Sequence, residues 1–499
     1  MIFSQEHVDN FKNLSWDRSD LHWNASYARR AQFGEPIVHG IASLLVALGR
    51  WAEGRNFQLK SVHAELKGPV LVGREIDFSI TSDGEKTTVL ILDGNSTLAR
   101  FAWAADFCSH AIGWPRDIDF AFSDSPSYLE QANSSTPAEL TVEDYEYSLN
   151  GEYIRGLSLF GLKPGQIPLS QLQFLLWTSY FVGMHYPGRQ ALYSSLKVEF
   201  RPEAEDTGRS ITLRKVTGKL DVGFGFARIQ VAAPFLESAT IAAFRRPEPV
   251  DYPLSEIRKH VTSEGLLKGL DVFVSGSSRG FGSVLAKSAA LMGARLCLHS
   301  RTESEESKTT LGEIRDLSPE SRIYYSDLTR TDETKSLARQ LIQPASPQWI
   351  VLSASPRIQA KHFADQSAEE FHDFVLTCLR MTAGLIHELL PNLTSGSKVL
   401  MISSVYVHEA PRGFTHYVAA KCALEGLVKS LARERADLQF FILRLPRMLT
   451  DQTASPFSRI RTLSPIPIAV QMIERVMTSE SPTNVHVLDY QPGPPQRAR

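Results

Sequence analysis

Near the C-terminal end of the sequence, Ser404, Tyr417 and Lys421 have the types and spacing for proton transfer at a carbonyl. A phenol with an ordinary pKa near ~10 exchanges protons poorly at pH 7, and a neighbouring ammonium favours its anion. A serine hydroxyl beside them can hold the oxygen whose carbon gains or loses hydride. Ser404 ends the apolar run 399–404, which predicts a buried parallel strand. Tyr417 and Lys421 open a predicted helix over 417–431, and a spacing of four puts both on one face.

Upstream, the chain reads Ser275-Gly276-Ser277-Ser278-Arg279-Gly280-Phe281-Gly282. A strand is predicted before it, over 271–274, and a helix after it, over 284–291. That context suits a dinucleotide, because the amides at a helix N-terminus bind pyrophosphate. The next strand, predicted over 295–299, ends in Ser300-Arg301 without the acidic residue that would accept from the ribose 2′-hydroxyl of NAD. Arg301, with Arg279 in the turn, suits the 2′-phosphate of NADP instead. Asp327, after 323–325, is expected at the adenine end, and Ala354 follows the fourth strand.

The N-terminal region carries a second candidate chemistry. Asp17 and His22, a carboxylate and an imidazole five residues apart, can hold and activate one water molecule. Gly40 opens an apolar helical stretch over 41–51, and its unpaired amide, helped by the helix dipole, can polarise a thioester carbonyl. Addition of water across an α,β-unsaturated thioester needs both.

Over 267–492 the chain resembles the short-chain dehydrogenase/reductase family. The glycine pattern matches at Gly276, Gly280 and Gly282, and the catalytic serine, tyrosine and lysine match Ser404, Tyr417 and Lys421. Within the family the likeness is to NADP-dependent 3-oxoacyl-thioester reductases. The resemblance implies NADP(H) bound by Gly276, Ser277, Ser278, Arg279, Gly280, Phe281, Gly282, Arg301, Asp327, Ala354, Tyr417 and Lys421, and a homodimer. The chain departs from the family at Leu352-Ser353-Ala354-Ser355, at Pro446-Arg447, and at Cys378, where the family has a helix asparagine anchoring the proton-relay water.

The N-terminal segment resembles the MaoC-like hot-dog hydratases and dehydratases. Asp17 and His22 match the signature pair, Tyr27-Ala28 a following segment, and Phe33-Gly34-Glu35-Pro36-Ile37-Val38-His39-Gly40 a second motif. The likeness implies that Asp17, His22 and Gly40 are catalytic and that His39 shapes the turn. Ser19-Asp20 replaces the usual Asn-Pro, so Asp20 is either a local turn-former or a disturbance to the loop that sets Asp17. Residues 139–246 look like a second copy without the Asp/His pair, with the apolar stretch 169–183 in place of the helix after Gly40. His185, beside Pro187-Gly188, is ranked as a loop residue.

The elements that must position these groups fit in 499 residues, 43% of them hydrophobic, enough for about three domains. The expected fold is an α+β double hot-dog region, with domains at 1–122 and 138–248, followed by an α/β Rossmann domain with a doubly wound parallel sheet at 265–492. Ser/Pro-rich segments at 123–137 and from Arg246 are the expected joins, and the tail 491–499 is expected to be disordered. A net charge of −2 carries no nucleic-acid footprint. The longest apolar stretches fall short of a membrane span. Four cysteines without metal or disulfide spacing, and no signal peptide at the start, fit a reducing cytoplasm. No metal is expected.

Together these readings predict a bifunctional enzyme acting on acyl thioesters of acyl carrier protein or CoA. One half would reduce a 3-oxoacyl group with NADPH, and the other would dehydrate the 3-hydroxyacyl product or hydrate in reverse. Two alternatives stand beside it: a reductase with a silent hot-dog scaffold, and an NADP-binding scaffold without turnover.

Overall fold

The computed structural model describes residues 1–109, 114, 136–202, 210–342, 347–453, 462–479 and 484–490. All but two residues of the expected join at 123–137, and the tail 491–499, lie outside them. The chain divides into two compact units, Met1–Glu248 and one that begins at Pro249.

In the first unit, helices α1 (Gln5–Ser15), α2 (Asp20–Trp23) and α3 (Ala25–Arg30) precede α4 (Gly40–Ala52). Strands β1 (Asn56–Leu66), β2 (Asp77–Asp83), β3 (Lys86–Asp93), β4 (Ser96–Cys108) and β5 (Glu139–Tyr147) lead to a second long helix, α5 (Leu169–Tyr180). Strands β6 (Ala191–Phe200), β7 (Ile211–Asp221), β8 (Phe226–Ala232) and β9 (Leu236–Arg245) complete the unit. Among the described residues the strands form one nine-stranded sheet, ordered β2-β3-β4-β1-β6-β9-β8-β7-β5. Read outward from the centre, β1-β4-β3-β2 on one side repeats as β6-β9-β8-β7 on the other. Antiparallel pairing of β1 with β6, from Ser61 opposite Glu199 to Glu65 opposite Ser195, joins the halves.

Each half contributes a helix that is apolar nearly all round, the pattern of an element enclosed on every side. Leu44, Leu45 and Leu48 of α4, and Leu172, Leu175 and Leu176 of α5, share one core with Val62 of β1 and Val198 of β6. The two domains expected at 1–122 and 138–248 thus lie in one unit with a shared core. Sequence periodicity could not show this, because the join is a pairing of strands distant in the chain.

In the second unit, α6 (Leu254–Arg258) precedes β10 (Asp271–Ser275), α7 (Gly280–Leu291), β11 (Arg295–Ser300), α8 (Glu305–Arg315), β12 (Arg322–Tyr325), α9 (Thr331–Leu341) and β13 (Trp349–Leu352). Then come α10 (Ala368–Leu379), α11 (Leu385–Leu389), β14 (Lys398–Ser404), α12 (Tyr406–Glu409), α13 (Thr415–Glu434), β15 (Gln439–Leu445), α14 (Pro465–Thr478) and β16 (Val485–Asp489). Among the described residues seven parallel strands run β12-β11-β10-β13-β14-β15-β16, so the order reverses between β10 and β13. Such a switch point opens the crevice where nucleotides bind. Both faces are covered, as parallel sheets require. Val272 and Val274 of β10 pack in the core with α7 and α14, while Phe273 packs on the opposite side with α9, α11 and α13.

Two expectations are corrected. The second unit opens at Pro249 rather than 265, because fully buried Ile257 of α6 plugs its core beside Leu267. The apolar stretches were expected to fall short of a membrane span, yet α10 continues through a π-helical turn and α11 into one helical run, Ala368–Asn392. By length and composition alone that run suffices to cross a membrane. The single apolar runs are short, but the helix joining them is not. Its later turns pack inward through Leu385, Ile386 and Leu389.

Candidate active sites

In the first unit the site begins where α1 stops. Trp16 takes a left-handed conformation (φ 64°) and its indole donates to Ser148 O at 3.2 Å, turning the chain so that Asp17 points inward. Asp17 is 2% exposed. One carboxylate oxygen accepts from Ser19 N at 3.2 Å and the other from Ser179 Oγ, on α5, at 2.7 Å. Gly183, one turn beyond Ser179, leaves the carboxylate its room: a Cβ there would lie 2.4 Å from Asp17 Oδ1. Burial pushes Asp17 up to about 6, against the hydrogen bonds from Ser179 and Ser19.

His22 lies on α2, which Asp20 opens. An acidic residue in a first turn is favourable there, so Asp20 serves local structure. His22 Nδ1 lies 2.7 Å from Ile37 O. A carbonyl oxygen only accepts, so Nδ1 carries the proton and Nε2 presents a lone pair. Burial lowers His22 to about 4, and the charge of Arg246 adds to this, so the ring is neutral at pH 7.

The fully buried ring of His39 stacks on His22 with centroids 3.7 Å apart, and its Nε2 lies 3.2 Å from Asp17 O. His39 thereby clamps the Asp17 turn from the start of α4. One polar atom each of Asp17, His22 and His39 falls within 4.8 Å of the other two. Gly40 is the first residue of α4, where helix geometry leaves the amide without an intrahelical acceptor.

Sequence reasoning missed Ser179, Gly183, Arg246 and the surroundings of His185. The one available signal was a pair of small residues four apart in a bulky apolar helix. His185 is held in the second half, its Nε2 3.1 Å from Tyr145 OH and 3.0 Å from Tyr180 OH. It is thus a caged group rather than a free loop residue.

In the second unit, β14 delivers Ser404 and α13 delivers Tyr417 and Lys421, so the three expected side chains converge. The Ser404 hydroxyl accepts from Tyr406 N at 3.2 Å and stands close enough to the Tyr417 phenol to favour its anion. The Lys421 ammonium sits 5.6 Å from the Tyr417 ring centre and donates to Ile402 O at 2.7 Å. The expectation that the ammonium would draw the phenol downward is corrected. Burial dominates and pushes Tyr417 up to about 12, with the Ser404 hydroxyl opposing. Burial also lowers Lys421. Cys378, buried on α10, has its thiol pushed up to about 11 by burial, so a neutral side chain stands beside the pair.

The glycine turn follows β10 at the switch point. Gly276 has φ 66°, and a Cβ on it would lie 2.8 Å from Ala354 Cα. A Cβ on Gly282 would lie 2.3 Å from Gly276 O. Glycine is required at both positions by close backbone approach. Ser275 Oγ accepts from the amides of Ser353 and Ala354, at 3.0 and 3.1 Å, fixing the segment after β13 against the turn. Ser277 is tied to His299, whose ring reaches Ser326 O at 2.9 Å. Ser278 is buried and its carbonyl accepts from Thr310 Oγ1. Arg279, Gly280 and Phe281 lead into α7.

Arg301 is exposed just after β11. Asp327 accepts from Thr329 N and Oγ1; these bonds and the charge of Arg301 outweigh burial and hold it below the usual range. Arg279 differs from expectation, since it pairs with buried Asp451, beyond β15, at 3.1 Å. Neither Asp451 nor His299 had been singled out. Both act through contacts between segments far apart in sequence.

The family model for short chain dehydrogenases matches residues 271–445, and that for the MaoC like domain matches residues 2–93. A fatty acyl-CoA reductase of Acinetobacter baylyi is 27% identical over 210 residues, covering 40% of this chain and 70% of the relative. An Arabidopsis thaliana protein described as NADPH-dependent aldehyde reductase-like and chloroplastic is 25% identical over 231 residues, covering 39% and 83%. A short chain dehydrogenase from Burkholderia cenocepacia, solved in complex with NADP, has 18% identity and a TM-score of 0.41, covering 45% of this chain and 97% of that one. The chain therefore carries a MaoC-like domain in its first unit and a short-chain dehydrogenase domain in its second.

Proposed function

We propose that the chain is a bifunctional enzyme of acyl-thioester metabolism, an NADPH-dependent 3-oxoacyl-thioester reductase joined to a 3-hydroxyacyl-thioester dehydratase that also runs as an (R)-specific enoyl hydratase. The observation that carries this reading is the convergence of Asp17 with the bare Nε2 of His22. Asp17 is buried and His22 half-buried, and both are placed to hold one water.

In hydration, a water positioned by Asp17 and His22 gives its oxygen to the β-carbon of the enoyl thioester. Its proton passes through the dyad to the α-carbon, while the Gly40 amide stabilises the thioester oxygen. The first unit is read as a double hot dog, with the second half as the silent copy. In support, the strand order repeats across β1 and β6.

In the second unit the residues fit a dinucleotide. Gly276 and Gly282 leave no space for side chains, and Arg301 stands where an acidic residue would select NAD. NADP(H) is the cofactor of this reading, consistent with the Arabidopsis relative described as NADPH-dependent. When bound, it supplies hydride to the 3-carbon of the substrate. Ser404 holds the carbonyl oxygen and Tyr417, neutral at pH 7, donates the proton. The relative described as a fatty acyl-CoA reductase supports a thioester substrate. The carrier is acyl carrier protein or CoA, the compartment the cytoplasm, and the assembly a homodimer, as the family resemblance implies.

The two reactions share the 3-hydroxyacyl thioester, and fusion raises its local concentration at the second site. The test is purified protein with acetoacetyl thioesters and NADPH, and separately with crotonyl thioesters. Oxidation of NADPH and hydration of crotonyl-CoA are both expected. Absence of both on CoA and carrier-protein substrates ends the reading.

A further inference from the structure

Arg246 follows β9 and is 3% exposed. Its backbone N–H donates to Gln190 O at 2.9 Å, and Nη2 donates to Tyr27 OH at 3.3 Å. The Tyr27 hydroxyl is committed to Gln190 Oε1 at 2.9 Å. Nε has no partner, and among the described residues no carboxylate pairs with this guanidinium. A buried cation without a counter-charge is costly, and groups left in that state are found where a ligand completes them. Tyr27, which its Nη2 contacts, packs against the cluster of Leu21 and Ile37, and the Ile37 carbonyl holds His22, so the guanidinium lies on the His22 side of the first unit; its charge lowers His22 accordingly. An aliphatic acyl chain would leave such a cation uncompensated.

We propose that Arg246 recognises a carboxylate carried by the acyl group, so that the first unit takes short unsaturated thioesters bearing a second, free carboxylate. The inference rests on the hydratase reading above and narrows its substrate class. A phosphate of the carrier fits less well, because Arg246 lies inside the unit rather than at its surface. The planar guanidinium offers Nε and a neighbouring Nη as the fork that carboxylates accept.

The experiment compares succinyl-CoA with butyryl-CoA for binding, and the CoA monothioester of fumaric acid with crotonyl-CoA for hydration. Both pairs are run on the whole chain and on Arg246→Gln. In the unaltered protein the carboxylated member of each pair is favoured by roughly ten- to hundredfold, the range of one charge-assisted contact. In Arg246→Gln that preference disappears, with hydration of the carboxylated substrate falling further than that of crotonyl-CoA. Equal binding of succinyl- and butyryl-CoA by the unaltered protein overturns the proposal, as does a preference that survives Arg246→Gln. Equal loss of both hydrations assigns Arg246 to the shared thioester oxygen and also overturns it. Should Arg246→Gln not fold, Arg246→Lys keeps the charge without the fork, and an unchanged preference there overturns the proposal. An Arg246-dependent preference for succinyl-CoA with no hydration of either substrate would sink the hydratase reading and leave carboxylate recognition standing.

Discussion

The two candidate sites bury ionisable groups in different ways. In the second unit the triad comes from one strand and one adjacent helix, and burial leaves Tyr417 neutral far above physiological pH, at about 12. In the first unit the dyad comes from a short irregular segment whose carboxylate is held by the other half, through Ser179 and Gly183. Burial there brings Asp17 up to about 6, near the working range. A site built on consecutive regular elements keeps its geometry locally. A site built across two halves depends on their packing, and its protonation state is sensitive to that packing.

The largest effects should separate the units completely. Tyr417→Phe removes the proton donor and should lower reduction by about 10²–10⁴-fold, the scale of general acid catalysis, with hydration unchanged. Asp17→Asn should do the reverse, and a stopped assay of both activities on each variant checks the pair. A variant that lowers both reactions together would break the comparison.

The pH profiles should differ too. Hydration needs ionised Asp17 and neutral His22, so it should be lost as pH falls through about 6, while reduction stays flat from pH 6 to 9 because Tyr417 keeps its proton. The same burial makes Asp17 a cost to stability. The unfolded chain releases this proton near ~4 and the folded chain near 6, so stability falls across that window and the full cost, at most about 3 kcal/mol, persists above it. Asp17→Asn should therefore raise the melting temperature more at pH 8 than at pH 5, while abolishing hydration.

Gly183→Ala tests the dependence on both halves. Its methyl would press on the Asp17 carboxylate, and hydration should fall by about ten- to a hundredfold through misplacement, with reduction intact. Unchanged hydration would show that the carboxylate tolerates displacement.

The smaller effects concern the cofactor. Arg301→Asp should erode an NADPH preference of more than about tenfold, the contribution of one charge-assisted contact. Arg279→Ala should cost only a few-fold, since Asp451 already holds that guanidinium. The ratio of efficiencies with NADPH and NADH reads both, and a larger loss for Arg279→Ala would reverse the assignment.

Much of the second unit was determined by sequence alone. Continuous apolar runs in β10 and β13, a glycine turn between strand and helix, and a four-residue spacing on α13 are local patterns. Local patterns fix which face a side chain occupies. The Asp17/His22 pair and the helix opened by Gly40 were legible for the same reason. The packing of Ile257 into the core of the second unit, the β1–β6 seam between the halves of the nine-stranded sheet and the continuous helical run 368–392 were not. Each depends on what a segment packs against or continues into. Tertiary structure alone decided that Asp17 is held by Ser179, that Arg279 faces Asp451, and that Arg246 lies buried without a counter-charge near His22. Pairing, burial and the shifts they cause come from the distance between groups in space, which residue types and spacing do not encode for segments far apart in the chain.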